Sequence, residues 1–231
     1  MTQLCYFRNW TNLKASAKVA SVILEEDKKM KLTFDRTPFY PQGGGQPSDQ
    51  GYLRCPGCSV TISKVTHSPE GSVDHCGILN AGSLSIGDSV DLEVDSLLRQ
   101  WHCRLHSAGH VIDGALANLK ISLKPGKAYH FEDGPYVEYD GIVDGLSKEE
   151  LMRNIEDACN DLIVQNLPVH IDFANEDIND QTCLRSMRIA DLISIPCGGT
   201  HVSFLGEIGE MKIRKIEVKK GKTRVCYSIS K

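Results

Sequence analysis

The segment from 96 to 119 constrains the fold of this chain more than any other. Its apolar side chains recur every three or four residues, which is the spacing of one face of an α-helix. They are Leu97, Leu98, Trp101, Leu105, Ala108, Ile112, Ala115 and Leu119. Because an amphipathic helix must bury its apolar face against other elements, we predict a packed domain around residues 96–119.

The residues before this helix have a different character. Short, partly alternating segments are bounded there by clusters of Gly, Pro, Asp and Ser, which is typical of strands joined by turns. The segments are 17–24, 30–34, 59–65 and 89–94. Several such strands in one stretch predict a small barrel or sandwich. We therefore predict an α+β protein with two domains, residues 1–95 and 96–231.

The remainder of the chain mixes predicted helices and strands. Ser147 and Glu150 form the pattern of a capping box, in which Ser147 caps a helix that ends near Gln165. Pro168 favours an extended start to the strand that follows. The other predicted elements are a turn at 124–127, strands at 128–131, 136–139 and 169–173, a short helix at 175–186, and a hairpin of 208–218 and 224–229 around 220–222.

Composition excludes several classes of protein. The chain is 41% hydrophobic and 24% charged, which is ordinary for a globular protein, and it has no apolar run of membrane-spanning length. The N-terminal residues lack the apolar stretch of a secretory signal. Nine cysteines are an odd number scattered through the chain. They fit a reduced, cytoplasmic protein better than a disulfide framework.

Charge is unevenly distributed along the chain. The net charge is −4, so the whole molecule does not attract nucleic acid by its charge. Residues 211–231, however, carry eight basic side chains against one acid, Glu217. Such a patch indicates a phosphate-binding surface or, equally well, a solvated pair of strands.

Two distant motifs predict a metal site. His106 and His110 are four residues apart on the predicted helix, so both imidazoles lie on one face and can bind one ion. Downstream, the two glycines of Cys197-Gly-Gly-Thr-His201 allow the thiolate and the imidazole to converge. Nitrogen and thiolate donors favour zinc over magnesium or calcium. We predict one zinc ion per chain. Four protein ligands are also typical of a closed structural site, and that alternative stays open.

A second pair of thiols has the spacing of half a zinc site. Cys55-Pro-Gly-Cys58 is followed by further potential ligands at His67, His75 and Cys76. The competing interpretation is a turn that carries two free thiols, and zinc stoichiometry would distinguish the two.

The chain resembles the editing domain of alanyl-tRNA synthetases and their free-standing relatives, the AlaX proteins. The motifs that carry the resemblance are His106-Ser-Ala-Gly-His110, Cys197-Gly-Gly-Thr-His201-Val, the segment 129–139, Gly206-Glu-Ile-Gly209 with Lys212-Ile-Arg-Lys215, and the glycine-rich segment 36–51. Gly109 stands where the synthetase-type motif usually has Thr. The resemblance implies an N-terminal glycine-rich β-barrel domain, a C-terminal α+β zinc-binding editing domain, and the medium-length AlaX class.

The resemblance also implies an activity and its partner. It implies a trans-acting deacylase that hydrolyses mischarged tRNA(Ala), with zinc bound by His106, His110, Cys197 and His201. The chief expected substrate is Ser-tRNA(Ala), and Gly-tRNA(Ala) is a second candidate. No membrane and no protein partner are expected, and the protein is expected to be a monomer or a weak dimer. The implied tRNA-binding residues are Arg36, Gly43, Gly44, Gly45, Lys212, Arg214 and Lys215.

Serine differs from alanine by one hydroxyl, which an alanine pocket cannot reject strongly, so a second site must recognise that hydroxyl. Thr200, His130 and Gln46 are candidates for polar or catalytic roles. The competing interpretations are a turn residue that satisfies its own backbone for Thr200, a strand residue facing solvent for His130, and a glycine-rich turn with positive φ around Gln46.

Two other functions fit parts of the sequence. A non-catalytic tRNA-binding module with a structural zinc would share the metal and the RNA but not the turnover. A zinc amidohydrolase or peptidase would act on small substrates, but the histidine pair lacks the adjacent Glu of the HExxH motif that serves as general base.

Overall fold

The computed structural model describes residues 2–177, 180 and 182–231. These residues cluster into two compact units. The first contains the described residues of Met1–Gly43, Pro47–Gln100 and Glu176–Cys183, and the second contains Gly44–Gln46, Trp101–Asn175 and Leu184–Lys231. The glycine-rich segment therefore contributes three residues to the second unit, although its sequence neighbours on both sides belong to the first.

The first unit is built around a closed six-stranded barrel. Its elements are β1 (Gln3–Leu4), the one-turn helix α1 (Cys5–Arg8), β2 (Lys14–Leu24), β3 (Lys29–Phe34), β4 (Arg36–Thr37), β5 (Gly51–Cys55), β6 (Cys58–His67), β7 (Val73–Ala81) and β8 (Ser89–Val94). The barrel order is β2-β3-β7-β6-β5-β8. Alternate residues point inward, and Leu32, Phe34, Leu53 and Leu92 are fully buried. The prediction of a barrel or sandwich is thus confirmed as a barrel.

The first unit contains a buried ion pair between Arg99 and Asp49. The guanidinium of Arg99 contacts both carboxylate oxygens of Asp49 and also donates to the backbone carbonyls of Trp10 and Pro38. The two charged side chains are 3% and 0% exposed. A pair so deeply buried must be fully hydrogen-bonded to be tolerated, and the Tyr40 backbone N–H supplies a further donor to Asp49.

The second unit combines two long helices with two antiparallel sheets. Its elements are β9 (Lys124–Tyr129), β10 (Tyr136–Asp140), α3 (Lys148–Gln165), β11 (Val169–Phe173), β12 (Arg185–Ile189), β13 (Ile193–Pro196), β14 (Met211–Lys219) and β15 (Lys222–Ile229), with most of α2 (Ser96–Asn118) and a 3₁₀ turn at Leu205–Ile208. The sheets have the orders β14-β15-β10-β9 and β11-β12-β13. No helix among the described residues is long and apolar enough to cross a membrane.

The core of this unit lies between the helices and one face of the four-stranded sheet. Tyr139 and Val225 point inward from the sheet and are buried, as are Ala108 and Ile112 of α2. Side chains of the opposite sheet face, such as Glu138, stay half-buried or exposed. The alternation along β10 and β15 therefore separates an apolar inner face from a polar outer face.

The predicted starts of both long helices and the predicted closing hairpin agree with the structure. The helix predicted for 96–119 is confirmed, and Asp95 caps it by accepting a hydrogen bond from the Leu98 N–H at 3.0 Å. The capping box of Ser147 and Glu150 is confirmed by reciprocal bonds of 3.2 and 2.9 Å. The closing hairpin is confirmed as well, with its turn at Lys220 and Gly221.

Two predicted elements are wrong. Residues 124–127 do not form a turn, because they pair with β10 and begin strand β9. The helix predicted for 175–186 is absent from the described residues of that range, and Arg185 and Ser186 belong to β12. Residues 178, 179 and 181 lie outside the described residues. Pairing partners distant in sequence override local propensity in both places.

Candidate metal centre and its cavity

Four potential ligands converge in the second unit. His106 and His110 come from α2, and Cys197 and His201 come from the loop that follows β13. One ligand atom from each of them lies within 4.8 Å of all the others. The structure therefore brings both predicted motifs to one point, and the cluster could hold a metal ion.

The backbone of each motif produces this convergence. The four-residue spacing on α2 places the His106 and His110 rings 5.1 Å apart, centroid to centroid. The loop approaches α2 closely at Gly199, where a Cβ atom would overlap the His106 ring. Only glycine allows this approach, which explains why the short loop can present Cys197 and His201 to the same point.

Hydrogen bonds fix the orientation of the imidazoles. The Nδ1–H of His106 donates to Gln46 Oε1 at 2.7 Å, and that of His110 donates to Asp113 Oδ2 at 3.1 Å. Nδ1 of His201 lies 3.4 Å from Ser107 Oγ. In His106 and His110 the Nε2 atom is therefore left as the lone-pair donor. Outer partners of this kind are the usual support of metal-binding histidines.

The charge balance of the cluster favours a thiolate. Burial alone would raise the pKa of Cys197, but the surrounding imidazoles of His106, His201 and His110 outweigh it and hold that pKa well below its usual range. For His110, burial acts to lower the pKa, yet the charge of Cys197 and the hydrogen bond to Asp113 raise it to about 10. The cluster thus favours a thiolate at Cys197, and the thiolate is the form that binds metals. Burial lowers the pKa of His201 to about 3, so that imidazole stays neutral.

The distances also suit a small cation. Bonds of roughly 2.0–2.3 Å to nitrogen and sulfur place neighbouring ligands of a tetrahedral ion about 3.3–3.8 Å apart. His106 Nε2 and Cys197 Sγ are separated by 3.4 Å. The residues present therefore fit a metal ion with nitrogen and thiolate ligands.

A cavity of about 550 Å³ opens onto this cluster. Three of the four ligands line it, whereas His201 is buried at 2% exposure and is not among the lining residues. The other lining residues include Gly44, Gly45, Lys127, His130, Tyr136 and Pro196. An ion held by this cluster would face a space large enough for a small organic group.

His130 is part of this centre. It is 2% exposed and stacks on His106 with the ring centroids 4.5 Å apart, so the interpretation of His130 as a solvent-facing strand residue is wrong. The Tyr227 hydroxyl donates to the Leu105 carbonyl at 2.8 Å and lies 2.7 Å from His130 Nδ1. That hydroxyl has a single proton, so His130 Nδ1 must be the donor, and its Nε2 is left as an acceptor.

Gly109, which stands where the synthetase-type motif usually has Thr, packs closely against the ring of His130. A Cβ atom at position 109 would overlap the His130 ring. The absence of a side chain on α2 therefore makes room for the imidazole that stacks on His106.

Gln46 and Thr200 form a buried support behind the cluster. Both are 0% exposed. Gln46 Nε2 donates to Thr200 Oγ1 at 2.8 Å, and Gln46 Oε1 accepts from the Thr200 N–H at 3.0 Å. The Thr200 side chain bonds to Gln46 and to the thiol of Cys103, not to its own backbone. This geometry favours positioning roles for both residues.

The remaining predicted site residues are dispersed. Arg36 lies on β4 of the first unit and is half exposed. Lys212 pairs with Glu156 and Glu210, and Lys215 pairs with Glu217. Arg214 donates to the Tyr227 carbonyl. Of the glycine-rich segment, Gly44 and Gly45 line the cavity and have positive φ.

The second thiol pair forms no metal cluster among the described residues. Cys55 and Cys58 face each other at the end of the β5–β6 hairpin. His75 is buried elsewhere in the barrel, hydrogen-bonded to Thr37 and to the Val73 carbonyl. The interpretation as a turn with two free thiols fits this geometry.

Sequence reasoning missed Asp113, Ser107 and Tyr227, all of which orient imidazoles of the centre. Asp113 could have been found, because it lies three residues after His110 on the same face of the predicted helix. Ser107 and Tyr227 carry no such signal, since their partners lie far away in the sequence.

Replacing Gln46 with Leu tests the support of His106. The variant removes the acceptor that fixes the His106 ring, so we expect zinc affinity to fall roughly 10–100-fold, measured by competition with a chromophoric chelator. The matched control is Gln42→Leu, an exposed glutamine of the same segment, which should leave the affinity unchanged. Equal affinity of the Gln46 variant and the wild type would contradict the assigned role.

The chain is similar to known proteins that contain tRNA synthetase domains. The family model described as "tRNA synthetases class II (A)" matches residues 8–98, and that described as "Threonyl and Alanyl tRNA synthetase second additional domain" matches residues 184–225. The chain is 31% identical to an alanine–tRNA ligase of Leptospira biflexa, over 90% of the chain and 25% of the ligase. It is 28% identical to the alanyl-tRNA editing protein AlaX-L of Pyrococcus horikoshii, over 92% of the chain and 54% of that protein.

The fold and the site define a protein that joins a β-barrel unit to an α+β unit with a His/Cys cluster able to hold a metal ion. The chain is similar over most of its length to the alanyl-tRNA editing protein AlaX-L and to a segment of the alanine–tRNA ligases. It spans about a quarter of the length of the ligases and about half that of AlaX-L.

Proposed function

We propose that this chain hydrolyses the ester bond between a wrong amino acid and tRNA(Ala), with Ser-tRNA(Ala) as the chief substrate and Gly-tRNA(Ala) as a second one. The observation that carries the proposal is the His/Cys cluster at the wall of a cavity of about 550 Å³, in a chain similar to the alanyl-tRNA editing protein AlaX-L over 92% of its length. The substrate belongs to translation, so the proposed location is the cytoplasm.

The proposed metal is zinc, one ion per chain, bound by His106, His110, Cys197 and His201. The donor chemistry supports it, because imidazole nitrogen and thiolate are the ligands that zinc takes in proteins, whereas magnesium and calcium take oxygen. When bound, zinc supplies Lewis acidity toward an ester carbonyl. Gln46 and Asp113 keep two of the imidazoles in the orientation that this binding needs.

His130 is the proposed polar contact for the substrate. Its ring lines the cavity and its Nδ1 proton is committed to Tyr227. Nε2 can therefore accept a hydrogen bond from a serine hydroxyl or from an attacking water. A site whose polar atom is satisfied by a substrate hydroxyl discriminates against analogues that lack it, so serine is favoured over both alanine and glycine. Glycine has no β-carbon and leaves room for a water molecule in place of the hydroxyl, whereas the methyl group of alanine fills that space.

The acceptor end of the tRNA would enter past the glycine-rich segment. Gly44 and Gly45 line the cavity and expose backbone, and the Gly45 carbonyl accepts from the His130 N–H at 2.8 Å. Arg36, Gly43, Lys212, Arg214 and Lys215 remain proposed contacts to the tRNA. Lys212 and Lys215 would have to exchange carboxylate partners for phosphate, and exposed ion pairs exchange readily.

The test is deacylation of Ser-, Gly- and Ala-tRNA(Ala) side by side, with and without a chelator. We expect release of serine, slower release of glycine, and no release of alanine above the uncatalysed rate. Chelation should abolish the activity, and added zinc should restore it. Hydrolysis that is unaffected by complete removal of the metal would refute the zinc proposal, and intact Ser-tRNA(Ala) after incubation with zinc-loaded protein would refute the deacylase.

The second candidate function is a non-catalytic tRNA-binding module with a structural zinc. One observation favours it, since four protein donors saturate a tetrahedral ion. The same experiment separates the two functions. A structural module would retain zinc and bind tRNA(Ala) without releasing any serine.

A further inference from the structure

The tight turn between β5 and β6 carries two cysteines that the His/Cys cluster does not use. Cys55 ends β5, Cys58 begins β6, and the two are direct cross-strand partners. The Cα atoms of directly opposed residues in an antiparallel pair lie about 4.5–5.5 Å apart, and their side chains project from the same face. The fold therefore holds the two sulfur atoms side by side.

The two residues of the turn fix this arrangement in advance. The ring of Pro56 restricts its φ to about −65°, and Gly57 has a φ of +75°, which glycine adopts without strain. Proline followed by glycine at the central positions is typical of a tight turn. A disulfide needs a Cα separation of about 4.4–6.8 Å, and the spacing of opposed residues falls within that range. The backbone can therefore accept a bond between Cys55 and Cys58 as it stands.

The two thiols differ in their accessibility. Cys58 is 5% exposed and belongs to the apolar core of the barrel. Cys55 is half-buried and lies next to the exposed residues of the turn. Burial and the neighbouring Cys55 raise the pKa of the Cys58 thiol to about 11, so that thiol stays protonated. Cys55 is therefore the thiol that an external reagent meets first.

The number of available ligands distinguishes the two kinds of chemistry open to a pair of thiols. A structural zinc site takes four protein ligands, whereas no third His, Cys, Asp or Glu of the described ranges joins Cys55 and Cys58 in a potential metal cluster. A disulfide needs only the two sulfur atoms. We propose that Cys55 and Cys58 form a reversible disulfide, which makes the β5–β6 turn a site of thiol oxidation separate from the His/Cys cluster.

The oxidant in this proposal is a low-molecular-weight disulfide, for which glutathione disulfide is the probe. The Cys55 thiolate attacks one sulfur of the probe, forms a mixed disulfide and releases one glutathione thiolate. The Cys58 thiolate then attacks Cys55 Sγ and releases the second. The two cysteines lose two electrons and two protons in total, and the two glutathione molecules gain them. Excess glutathione reverses both steps.

The disulfide should be easy to reduce. It would close a loop of four residues, so it would remove little loop entropy from the unfolded chain. It would also lie beside the exposed turn residues Pro56 and Gly57. Exposed disulfides are the labile ones, in contrast to the buried disulfides that hold secreted proteins together.

Mass mapping of zinc-loaded protein equilibrated with glutathione disulfide tests the proposal. Trypsin releases residues 55–64 as one peptide, which contains both thiols and no other cysteine. We expect this peptide to become lighter by two hydrogen atoms and to resist alkylation, and excess glutathione should restore the dithiol. Cys197 lies in a different tryptic peptide, residues 189–212, so its oxidation is recorded separately.

Single variants establish the order of the two steps. Cys58→Ser should stop at the mixed disulfide, so that its peptide carries one glutathione. Cys55→Ser leaves only the buried thiol, which should react with the probe at least about tenfold more slowly than the thiol left in Cys58→Ser. The matched control is Cys76→Ser, which replaces a half-buried cysteine of β7 and should leave the oxidation of residues 55–64 unchanged.

The wild-type protein alone can overturn the proposal. A peptide of residues 55–64 that stays reduced, or that carries glutathione on both cysteines, would show that the two sulfur atoms do not pair. A second zinc ion per chain that disappears in Cys55→Ser with Cys58→Ser would show a metal site in place of the disulfide. Peptide masses and zinc content do not depend on deacylation, so this proposal and the proposed function stand or fail independently.

Discussion

Cys197→Ala should lose both the bound zinc and at least about 10³-fold of the Ser-tRNA(Ala) deacylation. The substitution removes the only anionic donor of the cluster and leaves three neutral imidazoles, which bind zinc more weakly. The several kcal/mol of charge stabilisation that a Lewis-acidic metal supplies correspond to a rate loss of this size. Zinc content by atomic emission and serine release under single-turnover conditions measure the two effects on one preparation.

The matched control for this variant is Cys76→Ala. Cys76 is also partly buried, but it lies on β7 of the barrel and belongs to no metal cluster among the described residues. It should keep one zinc ion per chain and the wild-type rate. Loss of zinc from Cys197→Ala without loss of activity would show that the metal is structural, and retention of both would show that Cys197 is not a ligand.

Asp49→Ala should destabilise the protein by about 3–5 kcal/mol, because it leaves the buried Arg99 guanidinium without a counter-charge. Backbone carbonyls of Trp10 and Pro38 still accept from Arg99, but they cannot balance its charge. Urea denaturation followed by tryptophan fluorescence measures the loss. A second variant that replaces both partners, Asp49→Leu with Arg99→Met, should recover much of the lost stability. Replacing a buried ion pair with well-packed apolar side chains often leaves the stability unchanged.

The control compares this pair with an exposed one. Glu93→Ala removes the partner of Arg54 on the barrel surface, and it should shift the urea midpoint far less than Asp49→Ala. Equal shifts for the two variants would contradict the importance of burial, and full stability of Asp49→Ala would show that the guanidinium finds another partner.

Much of the fold could be predicted where the signal is local. The periodicity of 96–119 and the capping box at Ser147 depend on neighbours within one or two helical turns, and both predictions are confirmed. Strand β9 was mistaken in part for a turn because Pro125 and Gly126 signal a turn locally. Its real determinant is the pairing with β10, which only the folded chain displays.

The same distinction between local and distant signals applies to the candidate site. Spacing alone could nominate His106 with His110 and Cys197 with His201, because each pair is local. Their meeting point, and the role of Gln46 beside them, depend on residues 60 or more positions apart. His130 reaches His106 from another element of the unit, the segment after β9. The solvent-facing interpretation of His130 failed because one strand position cannot reveal that Gly109 leaves room for its ring on the neighbouring helix.

The placement of Gly44–Gln46 within the second unit has a consequence for how this protein can be divided. A gene fragment that begins at Ser96 would encode both motifs of the His/Cys cluster but not the Gln46 amide that holds His106 in place. Recombination that exchanged the C-terminal half between relatives would separate Gln46 from its partners. The barrel sequence and the sequence that carries the His/Cys cluster are therefore expected to be inherited as one piece.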